Sequence, residues 1–95
     1  MSFRRAAKVD ANHTEIVAAF RKLGWSVLSV AQLKNCCDIF VAKGGRTVAV
    51  EIKDSAKPPS ARKLSEGELK FKESWKGEWA LVESIEDIHK LVSPD

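Results

Sequence analysis

Residues 37–53 read CDIFVAKGGRTVAVEIK, two runs rich in β-branched and aromatic residues on either side of Gly44-Gly45. Such a pattern is a strong hairpin signal, because a two-residue primed turn needs positive φ and glycine supplies it. With the glycines as the loop, Lys43 opposes Arg46, Val41 opposes Val48 and Ile39 opposes Val50, which makes one face a core surface. The other face then sets Phe40 against Ala49 and Asp38 against Glu51. Directly opposed residues have Cβ atoms about 4.5–5.5 Å apart, and like charges there repel. Lys53 lies on the same face as Glu51, roughly 7 Å further along the strand. Three things can offset the repulsion: a proton that raises one pKa, the Lys53 ammonium with neighbouring lysines, or a divalent cation. Mg²⁺ is commonly held by one or two carboxylates, with waters and phosphate oxygens completing its shell.

The remaining elements are read outward from this hairpin. Ile16, Val17, Phe20 and Leu23 form an apolar stripe that predicts a helix over 12–23, stopped by Gly24. A short strand over 26–30 leads into the polar connection AQLKN. After the hairpin, Ser65 and Glu68 have the spacing of a capping box and open a helix through about Lys76. EWALVE is a fourth strand, and Ser84 with Asp87 starts a last helix. The order α-β-β-β-α-β-α indicates an α+β domain with a mixed sheet flanked by helices.

The chain has 95 residues, 44% of them hydrophobic and 31% charged, which suits a single small globular domain over 1–95 with a basic arm at 1–10. No apolar run is long enough to span a bilayer, and MSFRRAAKVD has no apolar signal region, so the expectation is a cytoplasmic protein. The formal net charge is +3, and residues 53–63 alone carry Lys53, Lys57, Arg62 and Lys63 against Asp54. Cys36 and Cys37 are neighbours and cannot easily bridge, and no ligand spacing for zinc is present, so both are expected as buried thiols. His13, close to the apolar stripe, is expected packed or exposed rather than catalytic.

The segments TEIVAAFRKLGWSV, CDIFVA, VAVEIKD and LSEGELKF, in that order, resemble the PD-(D/E)XK nuclease superfamily over roughly residues 12–88. Within it the chain is most similar to the small stand-alone virus-type replication-repair (VRR-NUC) nucleases and to Holliday-junction resolvases. The resemblance implies a restriction-endonuclease-like αβββαβ core and hydrolysis of DNA phosphodiesters with Mg²⁺ or Mn²⁺. It assigns Asp38 and Glu51 as metal ligands with the Ile52 carbonyl, Lys53 beside the attacking water, and Glu15 as the acid of the first helix. Two positions depart from the family pattern. Cys37 stands where a proline usually precedes the strand acid. Glu68 stands for a common glutamine, and its negative charge keeps it out of the expected site.

Asn12 and Glu15 also have capping-box spacing, which gives Glu15 a second explanation. The loop KPPSARK offers Lys57, Ser60, Arg62 and Lys63 to phosphates, stiffened by Pro58-Pro59, and Arg4 and Arg5 extend that footprint. The expected substrate is branched DNA and the expected assembly a homodimer, with Trp75 and Trp79 as candidate anchors. Two rival readings are a DNA-binding module on a decayed nuclease fold and a protein–protein adaptor.

Overall fold

The computed structural model describes residues 10–92; Arg4 and Arg5 lie outside them. Three helices, α1 (His13–Lys22), α2 (Glu66–Ser74) and α3 (Ile85–Val92), accompany four strands, β1 (Ser26–Ser29), β2 (Ile39–Lys43), β3 (Arg46–Ile52) and β4 (Glu78–Val82). A short 3₁₀ turn, Pro59–Arg62, sits in the basic loop. The strands form one sheet in the order β1-β2-β3-β4, antiparallel across the first three and parallel between β3 and β4. The architecture is α+β with a mixed sheet, as the pattern of elements indicates.

The turn is built as its sequence requires. Gly44 and Gly45 take φ of 59° and 82°, and β2 pairs with β3 in the register Ile39↔Val50, Val41↔Val48, Lys43↔Arg46. Ile39, Val41, Val48, Val50 and Ile52 therefore share one face and are buried with Ile16, Phe20 and Trp25, with Ile88 of α3 and with Val82. Phe20 meets Trp25 edge-on, with ring centroids 5.7 Å apart. Gly24, at φ 94°, turns the chain out of α1, and Lys43 Nζ donates to the Leu23 carbonyl at 2.7 Å. A cation on the last carbonyls of a helix satisfies an otherwise orphaned acceptor.

The opposite face of the sheet carries α2. Its capping box forms as read: Ser65 Oγ accepts from Glu68 N, and the Glu68 carboxylate accepts from Ser65 N at 2.8 Å. Phe71 and Trp75 from this segment pack on Phe40, with centroids 6.4 and 5.4 Å away. Trp75 Nε1 donates to the Glu78 carbonyl at 2.8 Å, while Trp79 is half-buried beneath the Lys72 ammonium.

Two local expectations change. The Asn12–Glu15 capping box does not form: Asn12 Nδ2 donates instead to the carbonyls of Lys53 and Glu83, at 3.1 and 3.4 Å. The side chain has left its own helix to join the ends of β3 and β4, where the Glu83 carbonyl also accepts from Ser55 N at 3.3 Å. Only one of the two thiols is buried. Cys37 lies in the core and donates to the Ile39 carbonyl at 3.2 Å, and burial, with Cys36 beside it, pushes its pKa up to about 12. Cys36 is half-buried and free. His13 is half-buried, and among the described residues its Nδ1 has no hydrogen-bond partner.

Candidate active site

The regular ladder between β2 and β3 stops at Ile39↔Val50, one pair short of Asp38 and Glu51. Asp38 N donates to the Val50 carbonyl at 3.1 Å, and the Asp38 carboxylate accepts from Ile52 N at 2.8 Å. The side chain thus takes the place of the missing strand partner. On the other side, Lys53 N donates to the Val82 carbonyl at 3.1 Å, so the end of β3 is held from both flanks. Side chains at the end of a strand gripped in this way lose little freedom to function.

Glu51 is 3% exposed. Burial, then hydrogen bonding and charge from Asp38, then the same from Glu68, raise its pKa to about 10. The compensation required by the hairpin register is therefore a proton on Glu51 in the metal-free protein. Lys53 does not pair with Asp38: its Nζ lies 3.0 Å from Glu68 Oε1. Burial lowers the Lys53 pKa, but the hydrogen bond and charge of Glu68, followed by Glu51 and Asp10, outweigh it and leave the pKa raised. Burial raises the Glu68 pKa, but its hydrogen bonds from Ser65 N and Lys53 outweigh that and leave it lowered.

Glu68 is the residue that sequence reasoning set aside. The capping-box spacing correctly placed it at the start of α2. Which face of the sheet α2 packs against is a tertiary fact, and only that fact brings Glu68 between Glu51 and Lys53. Asp10 is the second addition. A cleft of about 210 Å³ is lined by Asp10, Asp38, Glu51, Ile52, Lys53, Lys57 and Glu68. Glu15 is not in it: it is exposed and borders a separate cleft with Asn12, Asp54 and Glu83. Asp10, just ahead of α1, is the acid that lines the cleft at that end, and it pairs with Lys57 at 2.7 Å.

The basic loop is folded onto the domain by ion pairs. Arg62 reaches Glu83 at 3.2 Å and donates through Nε to the Lys57 carbonyl at 2.9 Å. Ser60 and Lys63 are exposed. Among the described residues no group of three or more His, Cys, Asp or Glu side chains is arranged to hold a metal ion. Asp38 and Glu51 fit a lesser requirement: two adjacent carboxylates opening on a polar cleft are a donor set that Mg²⁺ takes when waters and substrate oxygens complete the shell.

The raised Glu51 pKa should make stability depend on pH. Between about pH 4.5 and 10 the folded protein keeps a proton that the unfolded chain has released. The metal-free protein therefore loses stability as pH rises through that window, by at most about 1.4 kcal/mol per unit. Glu68, with its lowered pKa, contributes fully above the ordinary carboxylate range and does not mask the trend. Urea midpoints in EDTA should be higher at pH 5 than at pH 8, and Glu51→Gln should flatten the difference. Equal slopes in the two proteins would place the proton elsewhere.

Comparison with protein-family models, with curated proteins and with solved structures returned no match. Among the described residues no helix is long and apolar enough to cross a membrane.

Proposed function

We propose that the protein is a metal-dependent DNA endonuclease with a PD-(D/E)XK-type site. The observation that carries this reading is the buried Glu51 carboxylate beside Asp38 at the gripped end of β3, with Lys53 two residues on and a basic loop alongside. The αβββαβ order and the mixed sheet are compatible with a restriction-endonuclease-like core. Asp38 and Glu51, with the Ile52 main chain, would hold Mg²⁺ or Mn²⁺. Such an ion, when bound, polarises a phosphate and lowers the pKa of a water.

The chain's own residues set the geometry. Asp38 fixes the strand end through Ile52 N, and Glu51, whose pKa is raised in the metal-free protein, would serve as a ligand in its ionised form. Lys53, held by Glu68 in the metal-free protein, supplies an ammonium for the charge that develops on phosphate. Lys57, Ser60, Arg62 and Lys63 would meet neighbouring phosphates, positioning DNA without reading its sequence. Arg4 and Arg5 belong to the same proposal.

A nicking assay on branched and linear DNA, with and without Mg²⁺ and with Asp38→Asn as control, tests the reading. Binding without cleavage in every metal tried would favour the rival reading, a DNA-binding module on a decayed nuclease site. Three cations of the region are paired with acids, Lys53 with Glu68, Lys57 with Asp10 and Arg62 with Glu83, and each must leave its acid to meet a phosphate.

Lys63 separates a phosphate contact from a solvated loop most cleanly, because it is exposed whereas Arg62 also braces the loop. Lys63→Ala should weaken DNA binding for all sequences alike and reduce the log–log salt slope by about one unit. An unaltered slope removes Lys63 from the interface.

Paired cuts across a branch need two sites, and a two-fold homodimer would supply them from one repeated patch. Trp75 is engaged within the monomer by Phe40, Phe71 and the Glu78 carbonyl, which leaves Trp79 and the neighbouring Leu81 as the better anchors. Light scattering at tens of micromolar should give twice the 10.5 kDa chain mass. A monomer with and without junction DNA would refute paired cutting.

A further inference from the structure

The cleft beside Lys53 and Lys57 is one arm of a longer groove. A second cleft of about 420 Å³ opens on the other side of the carboxylates, and both clefts share Asp38, Glu51 and Glu68. The carboxylates therefore stand at the waist of a groove with two arms. The second arm is walled by the segment joining β1 to β2, including Leu33, Lys34, Asn35 and Cys36, and by Ser65 and Gly67 at the start of α2.

This wall is a built one. Val30 N donates to the Asp38 carbonyl at 2.9 Å and Leu33 N to the Val30 carbonyl at 3.0 Å, which fold the segment back on itself. Asn35 takes a left-handed conformation, φ 53°, of the kind that asparagine tolerates better than most residues. Its side chain packs onto the bare Cα of Gly67, where any Cβ would collide with Asn35 Oδ1. Leu33 remains 55% exposed in an otherwise polar stretch, and nothing among the described residues covers it.

We propose that this second arm receives the nucleotide next to the scissile phosphate, on the side away from Lys57, with Lys34 on its phosphate and Leu33 against its sugar or base. The proposal rests on the nuclease reading and names how the substrate strand crosses the site. A strand whose phosphate sits at Asp38 and Glu51 must continue in both directions. The loop from Lys57 to Lys63 serves one direction only. The other arm has the larger volume and offers the three chemistries a nucleotide asks for: a cation for phosphate, an apolar side chain for a sugar or base face, and an amide for a base edge.

Cys36 provides the test, because it lines the second arm and is half-buried, whereas the Cys37 thiol is buried. Fluorescein-labelled four-way junction, linear duplex and single-stranded DNA are titrated against the wild-type protein in Ca²⁺, a hard cation that also takes oxygen ligands. Anisotropy reports binding, and iodoacetamide labelling of Cys36 reports occupancy of the arm. Saturating DNA should slow Cys36 labelling by about fivefold or more, and Lys34→Ala should weaken binding by about three- to tenfold. Lys34→Ala without DNA should label at the wild-type rate, showing that the wall is intact. An unprotected Cys36 in the bound complex, or undiminished affinity in Lys34→Ala, overturns the second arm and leaves the nuclease reading standing. No binding of any of the three DNA probes overturns both.

Discussion

Glu51→Gln and Asp38→Asn should each reduce metal-dependent DNA cleavage by about 10²–10³-fold or more, and they should do so from a folded protein. The effect of Glu51→Gln on stability should differ in sign from that of an ordinary core change. Glu51 is a carboxylic acid held neutral by burial between Asp38 and Glu68. Glutamine keeps the shape and removes the cost of keeping the proton, so the variant should melt above the wild type at pH 8 in EDTA. Asparagine at position 38 retains an oxygen that can accept from Ile52 N and should be nearly neutral for stability. Asp38→Ala leaves that donor without its partner and should cost about 1–3 kcal/mol. A scan of the three variants by thermal denaturation, alongside the nicking assay, separates chemistry from scaffolding. Metal-dependent turnover in clean Glu51→Gln protein would remove Glu51 from the site.

The largest stability effect should come from Phe20→Ala. Phe20 is fully buried, packs edge-on against Trp25, and joins α1 to the aliphatic face of β2 and β3. Truncating a buried phenylalanine costs about 3–5 kcal/mol. A domain of this size has only about 5–10 kcal/mol to lose, so the midpoint should fall by about 15 °C or more. Leu28→Ala, at a position 63% exposed on the edge strand, should change stability by at most about 0.5 kcal/mol. If Leu28→Ala were the more damaging of the two, an unseen partner would have to cover that face.

The hairpin, its register and the capping box of α2 were legible because each is decided within a few residues, by glycines that accept positive φ or by a serine three residues ahead of an acid. The pairing of Asp38 with Glu51 was legible only in part. The register brings the two together, but the ladder ends one residue early because the Asp38 carboxylate captures Ile52 N. Glu15 and Asp10 show the limit of helical spacing. Periodicity assigns a side chain to a face of α1, while the cleft sits off the helix's N-terminal end, where Asp10 precedes the first turn. Asn12 follows the same logic. A local capping pattern lost to two carbonyls distant in sequence, at Lys53 and Glu83, that local reading could not see.

The parallel pairing of β3 with β4 has a consequence for the order in which the molecule assembles. β1, β2 and β3 are joined by short connections, so their meander closes small loops. β4 must return across the long segment that holds the basic loop and α2, and long-range closure is entropically the slower step. Asp38, Glu51 and Ile52 meet within the meander, whereas the Lys53 N bond to Val82 and the Asn12 bond to Glu83 wait for β4. Loop closure alone would bring the two carboxylates together before the lysine is anchored. A state with only the meander formed would carry the carboxylate pair without the main-chain anchor of Lys53, so the cleft that they share is complete only with the final strand.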